Sequence, residues 1–172
     1  MHKAAVDRGL NVVSLLCTHW HFDHSGGNRT LKRLLPGLEV VSGETDAART
    51  PCVTRRVADL EEWNVGRLTV RAHHVPGHTL GSTIFEVASP LTTTYLLLTM
   101  TLLTNYLLPC SIIFEVASRA DATIAPVAFT GDTLFCGGCG ALFEASVPTL
   151  CCALCALCCT LCTLCTLCAL CA

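Results

Sequence analysis

Histidine is missing from everything after His78, and charge is missing from everything after Glu144. The stretch between Glu86 and Glu115 also holds no charged side chain. Only 14% of the 172 residues are charged, 6% are aromatic, and the net charge is −2. A chain without a basic surplus has no electrostatic footprint for a phosphate backbone, so a nucleic-acid partner is not expected. Met1 is followed by His2, Lys3 and Asp7 rather than by an apolar run, so no secretory signal is expected. The expected compartment is the cytoplasm, with mitochondria as the alternative. Fourteen cysteines suggest a disulfide framework until their positions are read. Nine fall in residues 151–172, in a Leu-Cys triplet repeat, and Cys17, Cys52, Cys110, Cys136 and Cys139 are scattered. The scattered ones read as free thiols in a reducing compartment.

What is present is concentrated in one place. His19-Trp20-His21-Phe22-Asp23-His24 directly follows the apolar run Val12-Val13-Ser14-Leu15-Leu16-Cys17. Extended backbone alternates its side chains, so His19, His21 and Asp23 are expected on one face and His24 on the other. A turn after the strand would let His24 swing round and form a second cluster with Asp23. Neutral imidazole with carboxylate is a ligand set for zinc, and also for iron or manganese. A His-rich surface loop is the bland alternative, but such loops rarely follow a buried strand with an interleaved aspartate.

Thr18 to Asn28 resembles the first metal-binding motif of the metallo-β-lactamase fold. Pro76-Gly77-His78-Thr79-Leu80-Gly81-Ser82 resembles the motif that supplies a third histidine. Phe129-Thr130-Gly131-Asp132-Thr133-Leu134-Phe135, with Gly138-Cys139-Gly140 and Phe143-Glu144 behind it, resembles the segment carrying a bridging aspartate. That last wording is similar to the glyoxalase II (hydroxyacylglutathione hydrolase) branch. The resemblance covers about residues 1–89 and 119–145. It implies an α/β fold, a metallo-β-lactamase-like αββα sandwich incomplete at both ends. It also implies that His19, His21 and His78 hold a first metal, Asp23 and His24 a second, and that Asp132 bridges them. Zinc is the expected metal, with iron or manganese as alternatives. Asp23 and Asp132 are the expected catalytic residues, Phe143 the expected substrate contact, and a glutathione thioester the expected substrate. Two departures accompany this: the family's further histidine downstream of the bridging aspartate is absent, and Ala141 stands where a basic residue normally follows Gly-Cys-Gly.

Two segments read as foreign to that pattern. Ser82-Thr83-Ile84-Phe85-Glu86-Val87-Ala88-Ser89 recurs, with one substitution, as Ser111 to Ser118 at an offset of 29 residues. Excising 90–118 would join Ser89 to Arg119 at the spacing the family has. The segment is apolar enough to suggest a membrane span, but a span there would separate His78 from Asp132. It is therefore expected to be an insertion or a gene-model error, and dispensable, since the two copies cannot share one place in a sheet. The second segment is the tail, 148–172. Its three-residue period matches neither a helix nor a strand, so it reads as low-complexity sequence. A membrane segment and a thiolate metal site are the alternatives. The partial domain is thus drawn as 1–147.

A helix is expected from His2 to Leu10 and another from Asn28 to Leu35. Strands are expected at Asn11–Cys17, Leu38–Val41, Arg67–Ala72, Thr83–Val87 and Thr123–Phe129. His73 and His74 read as structural, and Trp20 and Phe22 as packing beside the ligands. Three functions compete: a glyoxalase II-type hydrolase, a mononuclear-iron glutathione persulfide dioxygenase, and a fragment or gene-model artefact without catalysis. The oligomeric state is not legible.

Overall fold

The computed structural model of the protein describes residues 2–88, 111–115, 127–135 and 138–161. The expectations placed on 90–110, 116–118, Cys136 and 162–172 lie outside the described residues. Two four-stranded sheets form the body. The first has the order β3 (Arg55–Val57), β2 (Glu39–Gly43), β1 (Asn11–Cys17), β7 (Ser111–Glu115). The second has the order β4 (Glu62–Val65), β5 (Leu68–His74), β6 (Thr83–Ala88), β8 (Val127–Phe129). In the first sheet β1, β2 and β3 run parallel and β7 is antiparallel to β1; the second sheet is antiparallel throughout.

Side-chain alternation explains why β1 is apolar at nearly every position. Leu16 points between the sheets, into a core with Val41, Val57, Trp63, Leu68, Val70, Ala72, Phe85, Val87 and Phe129. Its neighbours Leu15 and Cys17 point the other way, onto Ala5 of α1 (His2–Asp7) and Leu31 of α3 (Asn28–Leu34). A strand covered on both faces cannot alternate with polar residues. On β5, by contrast, Leu68, Val70 and Ala72 enter the core while Thr69 and Arg71 face outward and are half-buried.

α4 (Val147–Leu161) packs on the outer face of the second sheet, so this part of the tail is helical although its three-residue period matches no helix. Leu150 and Leu157 are buried with Val75 and Ile84, and Ala153 and Leu154 pack against them. Those four positions are spaced i, i+3, i+4, i+7, one stripe of a helix. A Leu/Ala/Cys repeat is apolar on every side, so its sequence period need not match the helix for a buried stripe to exist. Ser146 starts the helix: its Oγ accepts a hydrogen bond from the Thr149 N–H at 3.4 Å, with Pro148 in the first turn. Helices, two sheets and α4 thus stack as α, β, β, α.

The two copies of the repeated octapeptide do not share one place in a sheet, as expected. The first copy supplies β6 of the second sheet, while Ser111–Glu115 of the second copy pairs with β1 in the first sheet. Neither copy needs to be displaced, because the two occupy different sheets. The short strands β3 and β4 had no counterpart in the sequence reading. No helix among the described residues is long and apolar enough to cross a membrane.

Candidate metal centre

Three loops converge at one end of the two sheets. The first leaves β1 at Cys17 and carries His19 and His21. A single helical turn, α2 (Phe22–Ser25), then begins at once, with the His21 carbonyl accepting from the His24 N–H at 3.0 Å and the Ser25 N–H at 2.8 Å. β1 ends at Cys17, so strand alternation does not reach Asp23 and His24, and the turn expected after the strand swings His24 round. Helical rotation turns His24 inward to full burial, whereas the Asp23 side chain stays 69% exposed. Phe22 is 72% exposed and covers Gly26 instead of packing beside the ligands.

His78 arrives on the loop between β5 and β6, and Asp132 on a 3₁₀ turn (Gly131–Thr133) after β8. Gly131 is required here: its φ is +51°, and a Cβ would lie 2.5 Å from Thr18 Oγ1. His21 Nδ1 lies 2.8 Å from His78 Nε2. Asp132 spans the remaining gap, with Oδ1 at 3.0 Å from His24 Nε2 and Oδ2 at 3.5 Å from His78 Nε2. Two triads of ligand atoms result, His19/His21/His78 and His19/His24/Asp132, each within 4.8 Å of one another. Of the sequence candidates, Asp23 alone stands at the margin, 3.6 Å from His24 Nε2 and outside both triads.

The protonation states suit a cation. Burial, reinforced by the charges that His24 and His78 would carry, holds the His19 pKa down at about 3. Burial also lowers that of His21. The hydrogen bond from His24 lowers the Asp132 pKa. Near neutral pH, then, His19 and His21 keep a lone pair and Asp132 keeps its charge, as metal ligation demands. Orientation is set from behind. His78 Nδ1 donates to the Ala141 carbonyl at 2.7 Å, which leaves Nε2 to face the cluster. His19 Nδ1 sits 3.1 Å from Thr18 Oγ1, and its Nε2 is buried without a hydrogen-bond partner. A buried imidazole nitrogen among three other imidazoles and a carboxylate is the donor set that zinc, iron or manganese takes. The residues fit a divalent cation.

Around this centre, Phe143 is 68% exposed, its ring centroid 5.2 Å from His78 and 5.7 Å from His21. His73 and His74 stay outside both triads: His73 pairs with Glu86 at 3.0 Å and His74 Nε2 lies 2.7 Å from the Leu80 carbonyl. Asp46 and Arg49 carried no expectation from the sequence, and Thr79 was read only as part of the His78 motif. Arg49 lies over the Trp20 ring at 3.5 Å and pairs with Glu144 at 2.7 Å. Glu144 in turn accepts from the Leu80 N–H at 2.9 Å. Asp46 and Arg49 sit in turns without any spacing signature, so only the fold reveals them.

The chain is similar to known proteins over much of its length. The family model of the metallo-beta-lactamase superfamily matches residues 3–89. The chain is 32% identical over 138 residues to the hydroxyacylglutathione hydrolase of Prochlorococcus marinus, covering 80% of this chain and 43% of that protein. It is also 32% identical over 146 residues to the hydroxyacylglutathione hydrolase of Synechococcus sp., covering 85% and 47%. The chain spans less than half the length of the curated relatives it matches. A subclass B3 metallo-beta-lactamase of Bradyrhizobium japonicum overlays at 27% identity with a TM-score of 0.46, over 51% of this chain and 41% of its own. The chain belongs to the metallo-beta-lactamase superfamily, in the branch of the hydroxyacylglutathione hydrolases.

Proposed function

We propose that this chain carries the metal centre of a thioester hydrolase that splits S-2-hydroxyacylglutathione into glutathione and a 2-hydroxy acid. One observation carries the reading: Asp132, a member of the second triad, reaches His24 with one oxygen and His78 of the first triad with the other. His19, His21 and His78 would hold one cation. His24 and Asp132, with Asp23 beside them, would hold a second. Zinc is the proposed metal, and iron or manganese would suit the same donors. The chemistry such cations supply when bound is a water of lowered pKa and a polarised carbonyl.

The chain's own residues do the rest. Buried His19 and half-buried His21 present neutral imidazoles, and the Ala141 carbonyl fixes the ring of His78. Asp132 keeps its negative charge within the second triad and orients the groups that gather there. Phe143 offers an exposed apolar edge beside His21 and His78, suited to the acyl part of a substrate. A thioester also spares the site a strong general acid, since a thiol of pKa about 8.5 departs as thiolate. Against full activity stands the sequence itself, which has no histidine after His78 to complete a second cation's ligands.

The test is hydrolysis of lactoylglutathione by the full chain with zinc supplied, beside Asp132→Ala and His21→Ala. Slow turnover that both substitutions abolish is the expected result. Turnover that survives both would remove the metal mechanism, and robust turnover by the unaltered chain would overturn the proposed shortage of ligands.

A further inference from the structure

Asp46 is a fully buried carboxylate that belongs to neither triad. Its Oδ2 accepts two hydrogen bonds, from the Trp20 N–H at 3.2 Å and from Thr79 Oγ1 at 2.8 Å. Trp20 stands between His19 and His21, and Thr79 directly follows His78. One oxygen atom therefore ties together the two loops whose imidazoles make the first triad, loops that are 26 and 33 residues from Asp46 in sequence. Asp46 is itself held firmly, since its carbonyl accepts from the N–H groups of Arg49 and Thr50 and from Thr50 Oγ1, each at 3.0 Å. The His78 loop closes tightly around it. Thr79 Oγ1 and N both reach Ser82 Oγ, at 2.9 and 3.0 Å, and a Cβ on Gly81 would lie 2.2 Å from Asp46 Oδ1.

We propose that Asp46 is the positioning residue of the metal centre, setting the gap between the His19/His21 loop and His78 through that single shared acceptor oxygen. Among the described residues its side-chain hydrogen bonds go to Trp20 and Thr79, and it acts through them. A buried carboxylate is costly to leave unpartnered. Two donors satisfied at once therefore resist separation, and the loops that carry them keep one spacing. Metal affinity is sensitive to that spacing, because ligands fixed from behind typically lose tenfold or more in affinity when their support is removed. The inference rests on the metal-dependent reading of the same site.

The test titrates cobalt(II) into the metal-free full chain, reading affinity by chelator competition and geometry by the visible absorption of the ion. Asp46→Ala and Thr79→Val should each weaken cobalt binding roughly tenfold and change the absorption band. The double variant should be no weaker than Asp46→Ala alone, because both remove the same link. Asp46→Asn keeps an acceptor oxygen and should restore affinity to within about threefold of the unaltered chain. Val70→Ala, in the core between the sheets, should lower thermal stability and leave the cobalt spectrum alone. Should Asp46→Ala not fold, Thr79→Val and Asp46→Asn still decide the matter. Unchanged affinity and spectrum in Thr79→Val, or Asn failing as badly as Ala, would overturn the positioning role while the metal reading stands. No cobalt binding by the unaltered chain would overturn both.

Discussion

His19 carries more of this centre than any other residue, because both triads use it and because burial holds its pKa at about 3 against an ordinary 6.5. That shift has a stability consequence. A group whose pKa is lower folded than unfolded lets the unfolded chain bind more protons between the two values. Stability is then fully present above about 6.5 and is lost as pH falls from there toward about 3. His21, lowered by the same cause, adds to the loss, whereas the lowered Asp132 contributes only further down, below the ordinary carboxylate range. The metal-free protein should therefore show a urea midpoint that drops between pH 7.5 and 5, and His19→Gln should flatten that drop. An equal slope in the variant would deny His19 the role. At this scale the sequence was readable wherever chemistry and spacing coincide, as in His19-x-His21 and Gly131-Asp132. It was silent on Asp46, whose work is defined by Trp20 and Thr79 and appears only once their loops are folded together.

Among the elements, α4 departs furthest from what periodicity suggests. Its buried stripe rests on Leu150, which is packed with Val75 and Ile84 and lies against Gly77, one residue before His78. Leu150→Ala should cost about 2–4 kcal/mol by urea denaturation, as a buried leucine truncated in a core does. Cys151→Ser on the exposed side should be nearly neutral. If both were neutral, the helix would not be packed on the sheet. The strand β7 bears on the expectation that 90–118 is dispensable. Ser111–Glu115 pairs with β1 from Asn11 to Leu16, so excision leaves that edge of β1 open. The shortened chain should show faster amide exchange in β1 and a lower urea midpoint, with β5 and β6 unaffected. A more stable shortened chain would return the segment to the status of a passenger. The long run Asn11–Cys17 was legible because burial on both faces leaves a nearly unbroken apolar sequence. β3 and β4, of three and four residues, are too short for any period to emerge.

On the scale of the whole molecule, the two triads have to be counted together. They share His19, whose Nδ1 is beside Thr18 Oγ1 and whose Nε2 is buried without a hydrogen-bond partner. A single imidazole nitrogen coordinates one cation at a time. Once His19, His21 and His78 are engaged, a second cation is left with His24, Asp132 and the exposed Asp23, and the sequence holds no later histidine to add. Fewer ligands mean weaker binding. The full chain dialysed against trace zinc should therefore retain about one ion per chain by elemental analysis, with a second binding only at much higher zinc. His21→Ala should lose the retained ion, whereas His24→Ala should keep it and lose only the weak second. Two tightly held ions per chain would mean that a further ligand comes from outside the two triads. No retained ion would mean that His19, His21 and His78 do not act together. Because the proposed hydrolysis uses both cations, the same measurement separates a chain short of one ligand from one that lacks the centre altogether.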